Sequence, residues 1–221
     1  MKKLLVLGAL FATASLSFGQ GYVAFGNTST TRVSTNGAAI PAPSTGIVGL
    51  TSASTVAGNP TYYYALLVAP TSQNTIDNSL AGWTFVGYGT NTSIAGRMSG
   101  NNSTDSSAVQ VAGFGGTSTA DFAVVGWSSS VAGSDFAAAT AWWNNGNPNK
   151  DSTLRWFGVS TVANDIPLAN AGGPYNSPWG SAANGQIAGL SLQPFVVIPE
   201  PGTFALAGLG AAAILIFRRR K

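Results

Sequence analysis

The chain has 221 residues, no cysteine and no histidine, so disulfide bridges are excluded and the commonest general base and metal ligand is missing. Its formal charge of +3 is concentrated at the ends, because six of its ten cations lie in the first three and the last four residues. Between residues 20 and 198, four cations face six aspartates and leave a charge of −2. The body therefore has no basic patch of the kind that would predict nucleic-acid binding.

The first residues have the pattern of a secretory signal peptide. Lys2 and Lys3 precede a short apolar core, and Ser17 and Gly19 are small residues at the positions that a signal peptidase reads. We expect signal peptidase to remove residues 1–19 by cleaving between Gly19 and Gln20. The alternative, an N-terminal membrane anchor, is less favoured because the apolar core is short and runs into threonine and serine.

Residues 20–197 are predicted to form one exported body that is mainly β. Strand-like apolar or alternating segments recur, separated by turns rich in Gly, Asn and Ser. The predicted strands cover residues 22–25, 47–50, 62–68, 83–88, 108–114, 122–127, 154–162 and 195–198. This spacing predicts a single antiparallel β-sandwich, jelly-roll-like in arrangement, with one short helix.

The one predicted helix covers residues 135–143, where alanine is frequent. Ser134 can cap it, and Asp135 lies in the first turn, where a negative charge is favourable. Residues 172–184 are rich in Gly and Pro, and they predict a long irregular loop packed on the body through Tyr175 and Trp179.

The aspartates are the candidate catalytic groups of the body. Glycoside hydrolysis would need two carboxylates, one of them kept protonated. Asp105, Asp121 and Asp135 fall where we expect turns or the starts of elements, positions where aspartate usually makes local hydrogen bonds. We therefore predict no catalytic residue, although a hydrolase using two aspartates remains a third hypothesis.

Oxygen ligands for a cation alternate at Asn147, Asn149 and Asp151, as at the start of a calcium-binding loop. No glutamate closes such a loop, because Glu200 is the only glutamate in the chain. We predict neither a metal site nor a cofactor.

Four aromatic residues are candidates for stacking on sugar rings: Trp142, Trp143, Tyr175 and Trp179. The amides of Asn144 and Asn145 follow the Trp pair and could bond sugar hydroxyls. The alternative, which we favour, is that Trp142 or Trp143 ends an amphipathic helix and covers the core.

The C-terminal segment, residues 198–221, contains three signals in a fixed order. Pro199 and Pro201 flank Glu200 and hold that tripeptide extended, because each proline fixes φ and disfavours a helical residue before it. An uninterrupted apolar run, predicted as a transmembrane helix over about 203–217, comes next. From 202 to 217 it would span about 24 Å as helix, short against a hydrocarbon core of about 30 Å. Four cations then end the chain and would keep that end cytoplasmic: Arg218, Arg219, Arg220 and Lys221.

This arrangement resembles the PEP-CTERM sorting domain. The resemblance covers about a tenth of the chain and is specific at Pro199, Glu200, Pro201, the apolar run and the basic end. In that family a membrane-embedded cysteine protease, exosortase, is thought to process the tail. The resemblance therefore implies localisation, processing and a protease partner, and it implies no activity for the body, because the bodies of such proteins vary widely.

Together these patterns predict an exported protein without enzymatic activity. We expect the cytoplasmic membrane to hold it as an intermediate, after which the body joins the cell surface or an extracellular polysaccharide matrix. The alternative hypothesis is a surface carbohydrate-binding module, for which extracellular polysaccharide would be the partner.

Overall fold

The computed structural model describes residues 19–35, 61–77, 79–92, 94–100, 108–146 and 154–195. We number its strands and helices in chain order. The strands are β1 (Gln20–Ala24), β2 (Val33–Thr35), β3 (Tyr62–Ala69), β4 (Thr84–Asn91), β5 (Met98–Gly100), β6 (Ala108–Gly115), β7 (Thr119–Ser128), β8 (Arg155–Val159), β9 (Ala163–Pro167) and β10 (Leu190–Phe195). The helices are α1 (Ser129–Ala132) and α2 (Phe136–Asn144), with a 3₁₀ turn at Ala182–Asn184.

These strands form one large sheet and one small sheet. The large sheet has the order β2-β10-β8-β7-β3-β4-β5, and β9 pairs with the part of β7 that β8 leaves free. The small sheet is the antiparallel pair of β1 and β6. Every pairing is antiparallel except the one between β10 and β2, which is parallel.

The centre of the large sheet is the pair of β3 and β7. Their register runs without a shift from Tyr62 opposite Ser128 to Ala69 opposite Asp121. Both strands are buried on both faces, and this explains their nearly continuous apolar sequences, since a strand with one wet face would alternate. Apolar layers therefore cover both faces of the large sheet.

The inner apolar layer lies between the large sheet and the small sheet. Its buried side chains include Val23 of β1, Val111 of β6, Tyr64 of β3 and Phe122 of β7, all fully buried. We call this group the inner cluster. The small sheet alone could not bury its apolar face, so its packing on the large sheet is what makes β1 and β6 stable.

The outer apolar layer covers the opposite face of the large sheet under α1 and α2. Leu67, Val125, Trp127 and Phe157 are buried here, and aromatic side chains of α2 pack on them. We call this group the outer cluster.

Asp135 begins α2, because its carboxylate accepts a hydrogen bond from the Ala138 N–H at 3.0 Å. The prediction that Ser134 caps this helix is wrong by one residue.

A buried amide helps to join the two ends of the large sheet, beside a backbone hydrogen bond from the Val33 N–H to the Gly96 carbonyl at 2.9 Å. Asn27, 1% exposed, donates through Nδ2 to the carbonyl oxygens of Thr31 and Gly96, both at 2.8 Å. Its Oδ1 accepts from the N–H of Met98, also at 2.8 Å. We call these three hydrogen bonds the Asn27 bridge. It ties the segment before β2 to the segment that enters β5, although these strands lie at opposite edges of the sheet.

The mainly β class predicted from the sequence is confirmed, with two differences in detail. Two helices are present among the described residues where one was predicted, and the β2–β10 pair is parallel where an antiparallel sandwich was expected. The described strands divide into eight and two, whereas a jelly roll has two sheets of similar size. The short Ser129–Ala132 helix was missed because four residues carry no periodic pattern.

Four predicted elements lie wholly or largely outside the described residues: the signal peptide, the strands at 47–50 and 195–198, and the transmembrane helix at 203–217. Within the part of the chain that the structure describes, none of the helices has both the length and the apolar character needed to cross a membrane.

Candidate functional site

The predicted signal cleavage point lies at the start of β1. Gln20 is exposed and is the first residue of β1, opposite Gly115 of β6. The carbonyl of Gly19 accepts a hydrogen bond from the Gly116 N–H at 3.0 Å. Cleavage between Gly19 and Gln20 would therefore remove one hydrogen bond at the end of the small sheet and leave β1 intact.

The chain enters the C-terminal segment directly from the large sheet. β10 lies between β8 and β2, and Phe195 at its end pairs with Arg155 at the start of β8. The Phe195 ring lies 5.6 Å from the Trp142 ring and 5.3 Å from the Trp143 ring, both in edge-on contact. The last described residue of β10 therefore lies beside the C-terminal end of α2. The sorting motif residues Pro199, Glu200 and Pro201, and the basic end Arg218, Arg219, Arg220 and Lys221, lie outside the described residues.

The structure packs Trp142 and Trp143 against the large sheet. Trp143 stacks on Phe157 with ring centroids 4.5 Å apart and planes 10° from parallel, so one face of this indole is already covered. The Trp142 ring is tilted against Phe157 at 6.2 Å. Both are only partly exposed, and both belong to the outer cluster. This is the arrangement expected of residues that cover a core.

Tyr175 and Trp179 lie elsewhere, in the loop between β9 and β10. Trp179 is 2% exposed and belongs to the inner cluster, so its ring faces protein and not solvent. Tyr175 packs on Tyr22 of β1 at 6.0 Å, and its hydroxyl accepts from the Gly172 N–H at 2.9 Å. The loop is thus packed on the body through both residues, as predicted. The four candidate glycan-stacking residues do not form one surface, because two belong to the outer cluster, one to the inner cluster and one to the edge of β1.

The aspartates are dispersed over the described part of the chain. Asp77 is exposed and bonds Ser79, and Asp135 caps α2. No group of three or more acidic, histidine or cysteine side chains that could hold a metal ion occurs among the described residues. Asp105 and Asp151, with the alternating Asn147 and Asn149, lie outside them.

Asp121, expected at a turn or at the start of an element, lies near the start of a strand and is buried. It is the third residue of β7 and is 1% exposed. Its Oδ1 accepts a hydrogen bond from the Asp165 N–H at 2.7 Å. Burial, and then the nearby Asp165 carboxylate, raise the pKa of the Asp121 carboxyl, and the bond from Asp165 N–H opposes this in part. One weak signal of this burial is present in the sequence, because Asp121 directly precedes a run of four apolar residues, 122–125.

Comparison with known proteins identifies the tail and leaves the body without a match. The family model of the PEP-CTERM protein-sorting motif matches residues 197–221. No curated protein and no solved structure matches the chain. This match covers the segment on which the sequence resemblance was based, and it implies export through an exosortase system associated with the membrane. The chain therefore carries a PEP-CTERM protein-sorting motif at its C-terminus.

Proposed function

We propose that this chain is an exported surface or extracellular-matrix protein without enzymatic activity, and that its tail holds it in the cytoplasmic membrane until an exosortase acts near Pro199-Glu200-Pro201. The observation that carries the proposal is the match of residues 197–221 to the PEP-CTERM protein-sorting motif. The charge distribution agrees with it, because the cations cluster where a signal peptide and a membrane stop would need them.

The composition of the body supports a structural role. The body is rich in Ser, Thr, Asn and Gly and poor in charge, so amides and hydroxyls outnumber ions as groups that can bind water. With no histidine anywhere in the chain, acid–base catalysis would depend on carboxylates. The described aspartates with assigned contacts serve a helix cap, a surface turn and a buried strand pair.

The fold also limits how far the tethered body can lie from the membrane. Phe195 is the last described residue of the sheet, and the apolar run begins nine residues later at 204. Nine residues span at most about 30 Å when fully extended. While the tail is inserted, the end of β10 would therefore lie within about 30 Å of the membrane.

The proposal is tested by separating the motif from the anchor. In the native host, a Pro199→Ala, Glu200→Ala, Pro201→Ala triple variant retains the apolar run and the basic end. We expect it to remain in the membrane fraction at full mass after signal peptide removal. A chain ending at residue 203 should be released without passing through the membrane-bound intermediate.

A control chain keeps the motif and exchanges residues 204–217 for an unrelated apolar helix of equal length. Normal processing of that control would assign recognition to the motif. If the triple variant and the truncated chain are both processed and located like the wild type, the sorting proposal is wrong.

The alternative, a carbohydrate-binding module, receives no support from its four candidate residues, since Trp143 and Trp179 are packed against protein. Retention of the purified body on a polysaccharide column, lost in Trp143→Ala, would revive it. A surface role without glycan binding predicts no retention.

A further inference from the structure

A β-bulge places three oxygen-bearing side chains together in the large sheet. In the β7–β9 pair, Ala120 faces Ile166 and Phe122 faces Ala163, so two residues of β9, Asn164 and Asp165, lie opposite the single residue Asp121. Asp165 has φ +53°, in the left-handed region. This bulge sets the positions of all three side chains.

The alternation of side chains indicates which face the bulge residues use. Ala120, Phe122, Ala163 and Ile166 all belong to the inner cluster. Because neighbouring residues of a strand point to opposite faces, Asp121 and Asn164 belong on the outer face of the sheet. Side chains directly opposite each other on one face lie about 5 Å apart at Cβ.

Two of the oxygens at this bulge are buried and lack a hydrogen-bond donor. Asp121 is 1% exposed, and its Oδ2 has no hydrogen-bond partner among the described residues. The Oδ1 of Asn164 is likewise buried and without a partner within the described part of the chain. The Asn164 backbone is held in place, because its N–H donates to the Gly185 carbonyl at 2.8 Å. Buried acceptors of this kind are expected to have a partner, such as a donor, an ordered water or an ion.

The groups at the bulge suit a cation, because the register places Asn164 and Asp165 opposite Asp121 and so brings two carboxylates and an amide oxygen to one place. A cation there would balance the carboxylate charge and supply the partner that the buried Asp121 and Asn164 oxygens lack. The ligand types also limit the metal: carboxylate and amide oxygens suit Ca²⁺, which accepts irregular geometry and completes its coordination with water. Zn²⁺ prefers His and Cys, which this chain lacks.

We propose that Asp121, Asp165 and the amide oxygen of Asn164 form a site that binds a divalent cation through oxygen ligands, and that the bound ion is Ca²⁺. The site would join β7 to β9 and so stabilise the strand that leads into the loop between β9 and β10, residues 168–189. It does not depend on the sorting proposal, because it involves only residues of the folded body.

The test measures cation-dependent stability of the full-length protein in mild detergent. The protein is first treated with EDTA, dialysed, and then titrated with CaCl₂ or MgCl₂ while its melting temperature is recorded. We expect Ca²⁺ to raise the melting temperature by several degrees, with a midpoint between about 0.1 and 1 mM, as for extracellular calcium modules. Mg²⁺ should act more weakly, because it demands octahedral geometry.

The key variant is Asp121→Asn, which is nearly isosteric and can still accept from the Asp165 N–H. It should abolish the Ca²⁺ response, and Asp165→Asn should weaken binding at least tenfold. The matched control is Asp77→Asn, which removes an exposed carboxylate far from the bulge in sequence and should respond like the wild type. Tb³⁺ luminescence in the same variants provides a second readout that does not depend on stability.

Two results would overturn the proposal. One is an unchanged wild-type melting temperature in 10 mM CaCl₂ together with no Tb³⁺ signal that depends on Asp121. The other is an equal Ca²⁺ response in wild type and Asp121→Asn, which would place the cation elsewhere. If Asp121→Asn is more stable than an unresponsive wild type, water or a shared proton serves these oxygens, and the cation site is also rejected.

Discussion

Replacing Asn27 by alanine tests how the edges of the large sheet are held together. The substitution removes two donated hydrogen bonds and one accepted hydrogen bond, all 2.8 Å long and all buried. The Met98 N–H and the Thr31 carbonyl would each lose this partner. The Gly96 carbonyl would keep one partner, because it also accepts from the Val33 N–H at 2.9 Å.

The magnitude follows from those counts. A buried group left without its partner costs about 1–3 kcal/mol, so two such groups and a weakened third predict a loss of about 3–5 kcal/mol in unfolding free energy. For a body of this size, 1 kcal/mol corresponds to about 2–4 °C, which gives a fall in melting temperature of about 10 °C. Water entering the space left by the amide would place the result near the lower end.

The assay is urea unfolding of full-length protein in mild detergent, followed by tryptophan fluorescence. The matched control is Asn176→Ala, which removes one exposed side-chain hydrogen bond, from Nδ2 to the Pro167 carbonyl at 2.9 Å. We expect that control to lose less than about 1 kcal/mol. Equal losses in the two variants would refute the reasoning that the Asn27 bridge joins the sheet edges.

Three further substitutions probe the rest of the body. Trp143→Ala removes the stack on Phe157 and should destabilise the protein by about 3 kcal/mol or more, with Trp143→Phe restoring over half of it in the same urea assay. Gly158→Ala would place a Cβ 2.5 Å from the Ser191 carbonyl oxygen and should cost about 1–3 kcal/mol, whereas Gly115→Ala, with open space at its Cβ, should cost much less. In EDTA, the unfolding free energy of the wild type should fall as pH rises from the ordinary carboxyl pKa through the raised folded-state pKa of Asp121, because the folded state binds more protons than the unfolded state in that pH range. Asp121→Asn should remove this pH dependence. An unchanged pH profile in the variant would contradict the burial of this carboxyl.

The sequence predicted the strands whose apolar runs are long. β3 and β7 are buried on both faces, and eight or more consecutive residues carry that signal. β2 and β5 have three residues each and exist because distant segments pair with them, so no local pattern marks them. The predicted strand at 154–162 covers the whole of β8 and stops just before β9, which begins at Ala163. Periodicity did not show β9 because the bulge interrupts its alternation.

The candidate site residues, like the strands, were predictable only where a local sequence pattern marks them. A sorting signal is read as a linear sequence, so its tripeptide, apolar run and basic end were recognisable without a fold. The aromatic residues were ambiguous, because whether an indole covers a core or binds a sugar depends on packing. Trp179 illustrates this: it lies in a loop rich in Gly and Pro, yet it is 2% exposed. The Asp121 bulge was not predicted, since it requires the register of two strands whose residues Asp121 and Asp165 are 44 positions apart in sequence.

The central claim is that the C-terminal segment directs processing, and intact mass of the protein recovered from the native host tests it most directly. The membrane fraction and the medium would be analysed separately. We expect a released form that begins at Gln20 and ends within residues 199–202, with loss of residues 204–221. A mature protein that keeps residues 204–221 in both fractions would contradict it, and would make this chain a permanently anchored surface protein.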